Sequence, residues 1–201
     1  MNIGIDLDNT IVTYDRVFHQ HAVKLGLIAA EVAMNKRAIR DTIRQLPMGE
    51  AKWTELQGLV YGVAIAEAEF APGIERFLST CEKRSIRTFI ISHKTRYAAR
   101  GPQHNLRDAA RKWIEQSGLT ANFGFSMDDC FFVDSVAEKL SKVSECGCDY
   151  FIDDLVEVLA NPDFPSGVKK VLYSSNLDED LPLTIVNCSS WDEIHDFVFG
   201  K

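Results

Sequence analysis

Near the amino terminus, Ile3-Gly4-Ile5-Asp6-Leu7-Asp8-Asn9-Thr10 sets two carboxylates, one residue apart, at the end of a short apolar run. Carboxylates at the end of a buried strand are costly unless they are paired, hydrogen-bonded or bound to a cation. A hard divalent ion with oxygen ligands would meet that cost. A solvated strand-end turn, for which Asp and Asn are ordinary residues, would avoid it. A second acidic pair, Asp153-Asp154, follows Tyr150-Phe151-Ile152. Four carboxylates from two strand ends would repel one another, but with Mg²⁺ between them they form an oxygen cage with room for water and a phosphate. The same pair also suits an ordinary helix start, through the helix dipole. Ser92 closes Thr88-Phe89-Ile90-Ile91 and offers a hydroxyl at another strand end. Lys139 falls in the first turn of a helix opened by Ser135, where the dipole disfavours a cation, so holding an anion is one reason for it to be there. Solvation at the surface is the other.

These residues need elements that bring strand ends together. Short β-rich apolar runs alternate with longer segments of helical period, the pattern of an α/β fold with a parallel sheet. The expected strands are Asn2–Asp6, Thr88–Ser92, Cys130–Val133, Tyr150–Asp153, Lys170–Tyr173 and Leu183–Val186. Helices are expected over Gly73–Lys83, Leu106–Gln116, Ala137–Cys146 and Trp191–Phe199. Ser135 with Glu138 has the spacing of a capping box, and Ser190 stands just before Trp191-Asp192-Glu193. The stretch 11–70 breaks the alternation. It shows no convincing strand, and Val17, Phe18, Ala22, Leu25, Ile39, Ile43, Leu46, Trp53, Leu56, Leu59, Val60 and Val63 recur at helical intervals. Loop signals near Gly26 and at Pro47-Met48-Gly49 divide it into about three helices. The expectation is a helical cap over the carboxyl edge of the sheet, inserted after the first strand; an elaborate crossover is the alternative.

Composition narrows the partners. The 201 residues suffice for one sizeable core plus a modest insertion. Twenty-two basic against 29 acidic residues give a net charge of −7, which repels polyanions on average and makes nucleic-acid polymers and anionic membranes poor partners. The opening residues lack a signal-peptide pattern, and the longest apolar stretch, Leu59 to Ala66, is too short to span a bilayer. The odd count of five cysteines, with Cys146 and Cys148 not matched by a second pair, fits buried free thiols in a reducing cytoplasm.

Asp6-x-Asp8-x-Thr10 after the first strand, Ser92 after the second, Lys139 on a helix before the fourth and Asp153-Asp154 after the fourth together resemble the haloacid dehalogenase (HAD) superfamily. The likeness covers Met1–Thr10 and Ala71–Tyr173. It implies a Rossmann-like sheet of order 5-4-1-2-3, with a catalytic core over 1–10 and 71–201 and a C1-type helical cap over 11–70. It further implies that Asp6 is a nucleophile forming an aspartyl-phosphate, and that Asp8 protonates the leaving alcohol and then deprotonates the attacking water. Ser92 and Lys139 would hold the phosphoryl oxygens, and Thr10 would orient the loop. Mg²⁺ would be bound by Asp6, the backbone carbonyl of Asp8 and Asp154, with Asp153 nearby or acting through water. An acid at the position of Asp8 marks phosphatases and phosphotransferases in that superfamily, whereas dehalogenases and P-type ATPases lack it.

Elementary electrostatics agrees with these roles. A bare carboxylate approaching a phosphate ester is repelled, and Mg²⁺ with Lys139 would cancel that repulsion. Other schemes lack their residues: no Gly-x-Ser-x-Gly surrounds Ser92, and no phosphate-binding glycine loop is present. From Ser92 to Lys112, six basic residues (Lys94, Arg96, Arg100, Arg107, Arg111 and Lys112) stand against Asp108 alone. His93, Lys94 and Arg96 follow Ser92 directly and could bind a second anionic group of a substrate, or lie solvated. The expectation is a cytoplasmic Mg²⁺-dependent phosphomonoester hydrolase acting on a small phosphometabolite such as a sugar phosphate or nucleotide. A phosphotransferase or phosphomutase shares these motifs, and a non-catalytic binding module shares the fold.

Overall fold

The computed structural model describes residues 1–101, 103–175 and 181–200. They form two compact units: Met1–Val12 with Phe70–His93 and Gly118–Lys201, and Thr13–Glu69 with Lys94–Ser117.

The first unit is built on a six-stranded sheet, all of whose pairings are parallel. Its strands are β1 (Asn2–Ile5), β4 (Arg87–His93), β5 (Cys130–Val133), β6 (Tyr150–Asp153), β7 (Lys169–Tyr173) and β8 (Ile185–Cys188), in the order β5-β4-β1-β6-β7-β8. That is the order the HAD resemblance implied, with β8 added at one edge. The central strands read as near-continuous apolar runs because both faces are covered. On one face Phe89, Ile91, Phe151 and Leu172 pack with Leu140 and Val143 of α7 (Val136–Glu145) and with Val158 and Leu159 of α8 (Val156–Leu159). Elsewhere in the unit Phe77 of α4 (Ile74–Lys83) meets Trp191 of α9 (Trp191–Phe199), ring centroids 5.0 Å apart. A short α6 (Leu119–Phe123), below the length that periodicity reveals, was not foreseen.

Three differences concern boundaries. The last strand lies two residues later than expected, because Leu183 is fully exposed and Ile185 is the first residue to pair with β7. Two short strands, β2 (Val12–Thr13) and β3 (Glu69–Phe70), pair where the chain leaves and re-enters the first unit, so 11–70 is not wholly helical. The segment Lys94–Ser117, expected in the core, belongs to the second unit. Its helix α5 (Leu106–Gln116) buries Leu106, Ala110, Trp113 and Ile114, and Trp113 Nε1 donates to Ala68 O of that unit at 3.2 Å.

The second unit holds α1 (Asp15–Lys24), α2 (Lys36–Arg44), α3 (Gly49–Tyr61), a 3₁₀ turn at Val63–Glu67 and α5. Trp53 stacks on Phe18 at 5.0 Å, and Tyr61 meets Tyr14 edge-on at 5.0 Å, so these aromatics pack within the unit. Leu25 and Val63, though in helical register, are exposed. The α2–α3 turn is tight: a Cβ on Gly49 would stand 2.4 Å from Ile43 O, and Met48 before it adopts a left-handed φ of 57°.

Candidate active site

The site forms at the carboxyl ends of β1 and β6, which lie side by side. Ile5 pairs with Ile152, so Asp6 and Asp153 are the next residues beyond that pair. The Asp6 amide donates to Ile152 O at 2.9 Å and holds the two strand ends together. After Asp6 the chain reverses around one acceptor. Leu7 O takes the amides of Ile11 and Val12, each at 3.0 Å, and Asn9 makes the bend possible with φ 61°, a conformation that asparagine tolerates better than most residues. Asn9 Nδ2 reaches Asp154 Oδ2 at 3.3 Å and ties this loop to the second acidic pair. Thr10 is fully buried. Its carbonyl accepts from Trp191 Nε1 at 3.0 Å, and its hydroxyl has no partner among the described residues.

Lys139 enters from α7. Ser135 caps that helix by accepting from the Glu138 amide at 3.1 Å, while the Glu138 carboxylate accepts from the Asp134 amide at 3.0 Å. Lys139 is buried, with 1% of its surface exposed, so the surface alternative does not apply. Its ammonium donates to Asp6 Oδ1 and to Asp153 Oδ2, both at 2.6 Å. Asp153 Oδ1 accepts from the Leu155 amide at 3.0 Å, so both of its oxygens are engaged. Asp6 Oδ2 accepts no hydrogen bond among the described residues.

Burial works against the Lys139 ammonium, but Asp6 and Asp153 outweigh it and hold the group above the ordinary lysine range. Burial pushes the Asp153 carboxyl up, to about 6, against the opposing pull of Lys139. Carboxylate oxygens of Asp6, Asp153 and Asp154 lie within 4.8 Å of one another. Three carboxylates against one ammonium leave a local charge of −2 when all are ionised. An all-oxygen donor set with that residual charge fits a hard divalent cation such as Mg²⁺. The Asp8 side chain, half-buried, is outside this cluster; the resemblance gave it only a backbone carbonyl as ligand.

Ser92 sits next to last in β4, is buried, and its side chain makes no hydrogen bond among the described residues. His93 is exposed and its Nε2 bonds Asp134 O at 3.1 Å. Lys94 and Arg96 belong to the second unit. Lys94 is buried there, 5.0 Å above the Tyr61 ring, while its carbonyl accepts from Arg107 Nε at 2.7 Å; Arg96 is exposed. Asp6, Asp153, Asp154 and Lys139 are thus brought together. Asn9, Trp191 and Phe151 were not expected at the site. Asn9 carried a faint signal, since a polar turn residue after two acids suits a left-handed bend; the other two read only as core.

The architecture is that of HAD-like proteins. The chain superposes on a haloacid dehalogenase-like hydrolase from Streptococcus pneumoniae with a TM-score of 0.60 and 15% identity, covering 98% of this chain and 97% of that one. A HAD family hydrolase from Deinococcus radiodurans, solved with bound phosphate and sodium, matches with a TM-score of 0.59 and 14% identity over 98% and 94%. A dehalogenase solved as an intermediate complex matches with a TM-score of 0.55 and 12% identity over 100% and 97%. No family model matches the sequence, and no curated protein matches it significantly. At these identities the likeness defines the fold. Among the described residues no helix is long and apolar enough to cross a membrane.

Proposed function

We propose that the protein is a Mg²⁺-dependent phosphatase that hydrolyses small soluble phosphate monoesters, such as a sugar phosphate or nucleotide, through an aspartyl-phosphate on Asp6. One observation carries this reading: Asp6 has one oxygen fixed by a buried lysine and the other unengaged, beside two further carboxylates within 4.8 Å. Lys139 sets the orientation of Asp6, so that the free oxygen faces an incoming phosphorus without a rotamer search. Asp6, Asp154 and the Asp8 carbonyl would hold Mg²⁺, with Asp153 behind them. The ion, when bound, supplies positive charge against the carboxylates and the phosphoryl oxygens.

Asp6 Oδ2 forms a bond to phosphorus as the ester P–O bond breaks, and Asp8 gives its proton to the departing alkoxide. Asp8, now ionised, takes a proton from water, whose oxygen bonds phosphorus as the Asp6–phosphorus bond breaks. Inorganic phosphate leaves and both acids return to their starting states. Ser92 and Lys139 donate to phosphoryl oxygens in both halves. Asp8 is what favours phosphoryl over dehalogenation chemistry, which has no leaving alcohol to protonate.

Asp6→Asn keeps the size and removes the attacking charge. Turnover of an aryl phosphate should fall by roughly three orders of magnitude or more. Activity should also vanish with EDTA and return with Mg²⁺. A variant retaining above about a tenth of wild-type turnover would rule out Asp6 as the nucleophile.

A further inference from the structure

Phe151 of β6 is the direct register partner of Gly4 in β1. A Cβ on Gly4 would stand 2.7 Å from Phe151 Cδ2 and 3.0 Å from Cys148 Sγ. Only a hydrogen at that position lets the ring lie across the neighbouring strand. The ring is fully buried and leans on Phe164, centroids 6.2 Å apart. Lys139 Nζ stands over it, 5.5 Å from the centroid.

A lysine ammonium has three N–H donors. Two are taken by Asp6 and Asp153. A further polar partner would fix the ammonium but use its last donor. An aromatic face attracts the charge through the ring quadrupole and accepts no conventional hydrogen bond, so the third N–H stays available to a phosphoryl oxygen. A leucine at 151 would be apolar too, but smaller, and would offer no negative face.

We propose that Phe151 is a positioning residue: its ring is the shelf that holds the Lys139 ammonium in place, and Gly4 is the space that admits the ring. The role assigned to Lys139 rests on the function proposed above; the contact itself does not.

Ring fluorination withdraws charge from the aromatic face with little change in size, so it separates electrostatics from packing. Phe151 is replaced site-specifically by phenylalanines bearing one, two and three fluorines. The series is made in the wild-type chain and in a Lys139→Met/Asp153→Asn background, which removes the ammonium together with one of its carboxylates. The urea midpoint should fall with each fluorine in the wild type and stay level in the double variant. With Mg²⁺ and an aryl phosphate, kcat should fall about two-fold per fluorine while KM holds. Equal dependence of the midpoint in both backgrounds would overturn the contact. Coupling in the midpoint with an unchanged kcat would overturn the positioning role. A wild type that turned over no phosphate ester would remove the proposed function, and the midpoints would then decide the shelf alone.

Discussion

Asp153 and Asp154 are adjacent in the chain and differ in burial. Asp153 spends one oxygen on Lys139 and the other on the Leu155 amide, and it is fully buried. Asp154 is half-buried and reached by Asn9 Nδ2. With both oxygens engaged and no exposed surface, Asp153 suits the proposed brace for the lysine, and half-buried Asp154 the proposed direct ligand. Asp154→Ala should raise the Mg²⁺ concentration for half-maximal activity more than Asp153→Ala does; Asp153→Ala should lower kcat even at saturating Mg²⁺. The reverse order in a Mg²⁺ titration would exchange the two assignments. Protonation gives a second check. The folded Asp153 carboxyl is raised from 3.8 to about 6, so the folded chain holds that proton more tightly than the unfolded one. Without a divalent ion, the stability contributed by this group is present at low pH and is lost as pH rises between those two values. A divalent charge close to Asp153 favours its ionised form, so adding Mg²⁺ should raise Tm more at about pH 7.5 than at about pH 5. An equal gain at both would mean that Asp153 lies outside the ion's reach.

Helix α7 links the sequence to the position of Lys139, and its start is set by Ser135. Losing such a cap costs about 1 kcal/mol and loosens the first turn, where Lys139 sits. Asn105 caps α5 in the second unit in the same manner, accepting from the Arg107 and Asp108 amides at 3.1 and 3.2 Å. Ser135→Ala and Asn105→Ala should each lower stability by about 1 kcal/mol, read from urea unfolding. Only Ser135→Ala should also lower kcat several-fold. Equal kcat in the two variants would show that the cap does not steer the lysine. Elements with strong local signals were legible in this way: α5 and α9 have the ends expected of them, and α7 is off by one residue at each end. The first acidic motif was legible because two carboxylates at a strand end are physically expensive. Phe151 and Gly4 were not, because a phenylalanine in an apolar run and a glycine in a strand are both ordinary until the register sets them side by side.

Across the whole chain, the order of the strands, apart from the added β8, is the one the HAD resemblance implied, but the division into units was not foreseen. Lys94–Ser117 was expected in the core, and nothing in its own residues says that Trp113 will bond Ala68, 45 positions earlier. Gly58 adds to the same attachment, since a Cβ there would stand 2.8 Å from Ala98 Cβ. The basic residues after Ser92 are divided likewise: His93 stays with the sheet, while Lys94 begins a segment packed on helices. What the fold gathers from distant segments, 1–10, 135–139 and 150–154, is one buried set of charges. The covalent use proposed for it is directly measurable. The protein is mixed with substrate and Mg²⁺, quenched in acid during turnover, and digested for mass mapping. A phosphoryl group should appear on the amino-terminal peptide, at Asp6, in the wild type and be absent from Asp6→Asn. Turnover with no phosphorylated Asp6 at any quench time, and with Asp6→Asn still active, would contradict the account.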